Sequence, residues 1–378
     1  MVLSVLAALI SQSGIPIDIH FRKTILDTRF VAEGVAVADV DRDGRLDILA
    51  GNVWYQSPNW QRHEIAPYVE VDTKKAWSNC FNTWAADLNH DGWQDQIVIG
   101  MPGDKAIWRE NPNGKNTAWQ EHPVWRSAGN ESPLYVDLFG NGKRVLVMAY
   151  DDNYLAWFEP DKDPNKEWIP HNISGLKGAG SQRYSHGLGV ADLDGDGKDE
   201  VLTTGGYYSR PAVATSEWKF TAVDFGSDCA QMLALKTPSG KDVYTTSAHA
   251  RGIWQFRRQP DGSYKRFTLD KSISETHSAN LVLLVKSKRW NLITGKRKWA
   301  HPPGVDEGSE ELSLLVRYEE TPTSEGFTVW VRHVIDESSG VGTQFVVQDV
   351  DHDGLEDIVT ANKNGVFLFT QESSIPRR

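Results

Sequence analysis

Four stretches of the chain place oxygen-bearing side chains at alternate positions around a glycine, in the pattern D-x-[DN]-x-D-G-x-x-[DE]. They are Asp39, Asp41, Asp43 and Asp47; Asp87, Asn89, Asp91 and Asp95; Asp192, Asp194, Asp196 and Glu200; and Asp349, Asp351, Asp353 and Asp357. Alternating oxygens, a glycine that permits the sharp turn and a closing carboxylate resemble the spacing with which a loop wraps a hard cation, so calcium in a structural role is the expected occupant. The same carboxylates can instead accept backbone N–H groups of the turn without any metal.

A second set of side chains stands at fixed offsets from these loops. Six residues before the first loop aspartate lie Glu33, Phe81, Glu131, His186 and Thr343, counting a decayed copy at 136–149; matching 294–295 to 50–51 adds His277. Asn82, Ser132 and Gln344 are their neighbours. Beyond the second half of each copy come Trp54 and Tyr55, Asp151 and Asp152, Tyr207 and Tyr208, His249 and Arg251, then Lys296, Arg297, Trp299 and His301, and finally Lys363. Imidazole titrates near neutrality and suits proton abstraction, whereas fixed cations suit a carboxylate or a developing enolate oxygen. His186 or His277 is therefore the expected base, Tyr207 the acid, and Lys296, Arg297 or Arg251 the anion holder. Glu33 and Glu131 would orient sugar hydroxyls, with Asn82, His249, Trp299, His301 and Gln344 completing the lining. Three imidazoles with Glu33 or Glu131 would also suffice for an open catalytic zinc site, although no short ligand spacing marks one.

The elements that must position these groups are legible from repetition. ADVDRDGRLDILAG at 38–51, ADLNHDGWQDQIVIG at 86–100, ADLDGDGKDEVLTTG at 191–205 and QDVDHDGLEDIVTAN at 348–362 are copies. VDLFGNGKRVLVMA at 136–149 is a weaker one, and TSAHARGIW at 246–254 and NLITGKRKWAH at 291–301 keep only the second half. Each unit is accompanied by an aromatic-basic phrase such as WQRHEIA or VWVRHVI, and the apolar positions alternate with period two. Four short strands per unit, repeated seven times near every 50 residues, predict an all-β, seven-bladed β-propeller over residues 18–372. The first aromatic-basic phrase, 21–27, precedes the first unit and the last unit lacks one. The N-terminal strand is thus expected to pair with 366–371 and close the ring, removing the open sheet edge. The acidic loops would join strands at the blade periphery, away from catalysis.

Composition narrows the partners. Among 378 residues, 51 acidic against 40 basic side chains give a net charge of −11, which opposes nucleic-acid binding. No glycine-rich phosphate loop or G-x-S-x-G elbow is present, so no nucleotide cofactor is expected. The apolar run Val2–Ile10 is too short to span a bilayer and matches the middle of a signal peptide. Residues 1–17 accordingly read as a truncated signal segment, 373–378 as a tail, and the protein as secreted or periplasmic with no membrane insertion. Cys80 and Cys229 lie too far apart around the ring to bond and read as buried thiols.

These repeats resemble those of the FG-GAP or VCBS proteins along nearly the whole chain. More narrowly, FVAEGVAVADVDRDG, SHGLGVADLDGDG, THSANLVLL, TGKRKWAH and SGVGTQFVVQDVDHDG resemble bacterial propellers related to the propeller part of aldos-2-ulose dehydratase. That resemblance, with the clustered histidines, implies a lyase, dehydratase or isomerase taking a carbohydrate or keto-sugar and removing a proton beside its carbonyl or carboxylate. The alternative is a calcium-stabilised, non-catalytic propeller that binds glycan or protein through the same face.

Overall fold

The computed structural model describes residues 19–212, 217–226, 229–237, 240–323 and 328–372. The segment 1–17 and the tail 373–378, read above as leader and tail, lie outside the described residues. Seven four-stranded antiparallel sheets form the molecule. Their innermost strands are Ala36–Ala38, Asn82–Ala86, Leu134–Val136, Gly189–Ala191, Cys229–Thr237, Ala279–Leu284 and Phe345–Gln348, which number the blades one to seven. Among the described residues there is no helix, and hence none long and apolar enough to cross a membrane.

The ring closes as the repeat arithmetic requires. His20–Asp27 is the outermost strand of blade seven, antiparallel to Gly365–Glu372, in a register running from His20 opposite Glu372 to Asp27 opposite Val366. Strand character follows burial. Second strands such as Val145–Tyr150 and Asp357–Asn362 are buried along their whole length because blades cover both faces, so they read as continuous runs, while outermost strands such as Gln61–Glu64 keep solvated polar residues. Outer-strand tryptophans fill the gaps between blades: Trp119 of blade two packs with Ala36 and Ala38 of blade one. Outer-strand histidines are likewise structural. His63, His122 and His171 stack cross-strand on Trp54, Trp108 and Trp157 at centroid distances of 4.4, 4.2 and 3.8 Å. Cys80 and Cys229 are buried thiols, that of Cys229 donating to the Phe225 carbonyl at 3.0 Å.

Adjacent blades meet backbone to backbone at the strand entries. A Cβ on Gly342 would lie 1.9 Å from the Glu33 carbonyl oxygen and 2.3 Å from that of Ala361, so only glycine fits where blade seven meets blade one. The acidic loops link each innermost strand to the second at the end opposite these entries, rather than at the outer rim. In blade one the amides of Asp43 and Gly44 bond the two Asp39 carboxylate oxygens at 3.1 and 3.0 Å. The closing carboxylate turns inward: Asp47 accepts from the amides of Val40 and Ser57 at 2.9 and 2.8 Å. Asp95 and Asp357 repeat this arrangement. Both oxygens of these closing groups are therefore engaged by backbone. The carboxylates whose oxygens lie close enough together to share a cation are Asp39, Asp41 and Asp43, their counterparts Asp349, Asp351 and Asp353, and, with its longer side chain, Glu200 beside Asp192 and Asp194.

Candidate functional site

Strand entries and second-strand exits converge on a cavity of about 440 Å³. Glu131 and His186 come from the entries of blades three and four, and His249 from the exit of blade five. His301 belongs to a long excursion between Arg289–Gly295 and Leu315–Pro322 of blade six. Trp77, Phe81, Met101 and Tyr184 supply the apolar wall. His277 lies directly behind, its ring centroid 5.5 Å from that of His186 and 4.9 Å from that of His249. The His186 and His249 rings are 5.0 Å apart and nearly perpendicular, so the three imidazoles face one another edge to face.

Their nitrogens are unusual for buried groups. His186 Nε2, His249 Nδ1 and both ring nitrogens of His277 have no hydrogen-bond partner, although buried polar atoms are normally paired. Glu131 Oε2 approaches His186 Nε2 at 3.3 Å and His277 Nε2 at 3.9 Å without hydrogen-bond alignment. One potential ligand atom from each of the three histidines lies within 4.8 Å of the others. Burial, reinforced by repulsion from Arg297 and the other histidines, holds His277 well below its ordinary pKa. Burial and the His186 and His301 rings lower His249 to about 4. Both are neutral at pH 7, the state in which imidazole donates a lone pair to a metal. Burial pushes the Glu131 carboxyl up, but His186, Arg297 and His249 outweigh it, so the group stays anionic.

His301 is placed differently. Its Nδ1 sits 3.0 and 2.9 Å from the two carboxylate oxygens of Asp306, its backbone N–H donates to Asp306 Oδ2 at 3.1 Å, and its ring stacks on His249 at 4.5 Å.

The geometry reassigns several residues singled out by sequence. Lys296 and Arg297 do not face a substrate: their side chains are 1% and 2% exposed and are paired to Glu275 and Glu33. Buried charges require such partners, and those partners come from other parts of the ring. Glu33 is consumed in the same way and cannot orient a sugar hydroxyl. Tyr207 is not the acid of this pocket, because it packs between blades four and five against Leu202, Val243 and Phe256. Arg251 lies outside the cavity, paired to Glu307 and Glu311. Gln344 bridges the Thr83 amide and carbonyl at 2.8 and 2.9 Å, a staple across blades seven and two. Asn82 donates to the Glu131 carbonyl at 3.2 Å, and the Glu131 amide to the Ser185 carbonyl at 3.1 Å, so Asn82 acts by fixing Glu131. Trp299 contributes its carbonyl to Lys363 at 3.1 Å and does not line the cavity.

Four contributors escaped the sequence reading, Met101 of the cavity wall and three others. Trp77 and Tyr184 sit in the connections leading into blades two and four, and Asp306 follows His301 by five positions. The available signal was length: the excursion after Gly295 far exceeds the two-residue link between Asp47–Ala50 and Val53–Gln56, and long connections on a rigid scaffold tend to carry function.

No family model matches the chain, and neither does any curated protein. Solved structures do resemble it in chain path. A lectin of Agrocybe aegerita described as recognising non-reducing terminal N-acetylglucosamine is 14% identical over 94% of this chain and 86% of its own, with a TM-score of 0.48. YCF48 of Cyanidioschyzon merolae is 11% identical over 93% and 98%, also at 0.48. The chain is an all-β, seven-bladed β-propeller on the strength of its own strand pairing.

Proposed function

We propose that the protein is a metal-assisted carbon–oxygen lyase, dehydratase or isomerase acting on a carbohydrate that bears a carbonyl or carboxylate. The observation that carries this reading is the group of unpartnered, inward-facing nitrogens of His186, His249 and His277 beside the Glu131 carboxylate. Three imidazoles and one carboxylate suit zinc or a similar divalent ion, which would polarise a substrate carbonyl and make the adjacent C–H more acidic. The residues of the chain do the rest. His186, His249 and His277 would hold the ion, Glu131 would complete its shell or take a substrate hydroxyl, and Trp77 and Tyr184 offer flat faces on which a sugar ring can stack. Lys296 and Arg297 support the site from behind through their ion pairs.

A glycan-binding module needs aromatics and amides but no cluster of imidazoles with buried, unpartnered nitrogens, and that cluster favours the enzyme. The test combines zinc titration with turnover. The wild type should bind one zinc at the pocket, His249→Ala and His277→Ala should each weaken that affinity at least ~10-fold, and zinc-loaded protein incubated with keto-sugars or uronate oligosaccharides should generate the ultraviolet absorbance of a new conjugated double bond. Zinc affinity unchanged in both variants would refute the site. Sugar retention without turnover would assign the pocket to binding.

A further inference from the structure

The same pocket contains a fourth, chemically distinct histidine, and its placement bears on how a proton would be moved; this inference rests on the function proposed above. The geometry points to His301, oriented by Asp306, as the general base of the pocket, in place of His186 or His277.

The four pocket histidines divide by what their nitrogens do. His186, His249 and His277 turn unpartnered nitrogens toward one another. His301 has its Nδ1 committed to a carboxylate by two short contacts, 2.9 and 3.0 Å from the Asp306 oxygens, whereas the nearest carboxylate contact of His186 is the longer 3.3 Å to Glu131. That bond places the proton on Nδ1 and leaves the Nε2 lone pair free, the arrangement by which a carboxylate sets the tautomer and orientation of a catalytic imidazole. Access separates them as well. The His301 side chain is 42% exposed and lines the cavity, whereas that of His277 is 2% exposed. A base must reach the substrate; a metal ligand need not.

The dyad is also held firmly. Lys296 pairs with Glu275 and donates to the carbonyls of Arg297 and Ser309 at 3.1 and 3.3 Å. The Ala300 amide donates to Glu275 Oε1 at 2.7 Å, and the Gly304 amide to Ser309 Oγ at 2.9 Å. The long excursion is thereby pinned on both sides of His301 and Asp306. The ionisable groups facing His301 are Asp306 and His249, with Glu131, His186 and His277 beyond them.

In the step itself, His301 Nε2 takes the proton from the carbon next to the substrate carbonyl. The C–H bond breaks, an N–H bond forms, and the electron pair moves through the new C=C bond onto the carbonyl oxygen. The imidazolium exchanges its Nε2 proton with solvent and returns a proton to carbon as the enolate collapses to the carbonyl, which regenerates the base, so reversible exchange needs no further reactant.

The test uses the zinc-loaded full chain. Exchange of carbon-bound hydrogen with D₂O is followed by NMR for dihydroxyacetone, hexoses, ketohexoses and hexuronates, alongside zinc affinity and the rate of histidine acylation by diethyl pyrocarbonate mapped by mass spectrometry. His301→Gln should lose about 100-fold or more in exchange while keeping zinc affinity within about 2-fold, whereas His277→Gln loses zinc. Asp306→Asn should lose roughly 10-fold in exchange and slow the acylation of His301, which in the wild type outpaces that of His186, His249 and His277. The proposal is overturned if His301→Gln weakens zinc as His277→Gln does, which would make it a ligand, or if it exchanges hydrogen at the wild-type rate. A wild type that exchanges no hydrogen in any probe refutes the proposed function, and the acylation rates then decide separately whether His301 is a poised base.

Discussion

Replacing Glu275 by glutamine isolates the charge that anchors the excursion carrying His301 and Asp306. Glu275 is fully buried, pairs with Lys296 and accepts from the Ala300 amide. Glutamine keeps the shape and can still accept from Ala300, but leaves the 1%-exposed Lys296 ammonium without an anion. Removing one partner of a buried pair costs about 3–5 kcal/mol. The lysine has one escape, which is to give up its proton. From an ordinary pKa of about 10.4 this costs about 4.6 kcal/mol at pH 7 and about 1.9 kcal/mol at pH 9, values that cap the penalty. In the variant the folded state would hold fewer protons than the unfolded one at every pH below the ordinary lysine value, so its stability must rise with pH in that range. Equilibrium urea unfolding followed by tryptophan fluorescence should therefore show a loss of about 3–5 kcal/mol at pH 7 that shrinks below about 2 kcal/mol at pH 9. Replacing both partners with methionine should recover most of the loss. A penalty under about 1 kcal/mol at pH 7, or one that grows with pH, would refute the account of this pair as a buried anchor.

Burial, with Asp41 and Asp43 nearby, pushes Asp47 up to about 7, and burial likewise raises Asp95 and Glu200 to about 7; the stability from their raised pKa is present below the ordinary carboxylate value of about 4 and is lost as pH rises through 7. Of the three only Glu200 belongs to a candidate cation cluster, with Asp192 and Asp194, so calcium, the occupant expected from the sequence, should through that loop raise the melting temperature more at pH 7.5 than at pH 5.5, and a melting curve indifferent to calcium and chelator at both would mark metal-free turns. Truncation after Asp27 removes the outermost strand of blade seven and exposes Gly365–Glu372 as an open edge, so the shortened chain should unfold at lower temperature and with less cooperativity; an unchanged transition would refute the closure. Gly342→Ala forces a Cβ against two carbonyl oxygens and should destabilise the ring by more than about 2 kcal/mol, whereas Gly44→Ala, which meets nothing within 4 Å but keeps a positive φ of 85°, should cost only about 1 kcal/mol; urea midpoints for the two variants check the order.

The repeat by itself determined the architecture. Seven copies of a period-two pattern specify the strands, the missing aromatic-basic phrase specifies the closing strand, and a constant offset from each acidic turn specifies which strand end faces the channel mouth. That offset placed His186 and His277 at the entries, and the second-strand exits added His249 and His301, because every blade presents the same end of the same strand to the same face. What only the tertiary structure decided is where side chains turn once they leave the strands. Glu275, Trp299 and Tyr184 have left-handed backbone, with φ of 52°, 56° and 62°, and such residues re-aim the chain in ways that period-two alternation does not encode. Charge pairing is equally non-local. Arg297 reads as an open cation until Glu33, 264 positions away, is brought against it. Tyr207 failed for the opposite reason: it stays within a regular strand, whose pleat directs it into the space between blades. A sequence motif reports which end of the ring a residue occupies, but its protonation state and partner depend on distances that exist only after blades from opposite ends of the chain have closed on one another.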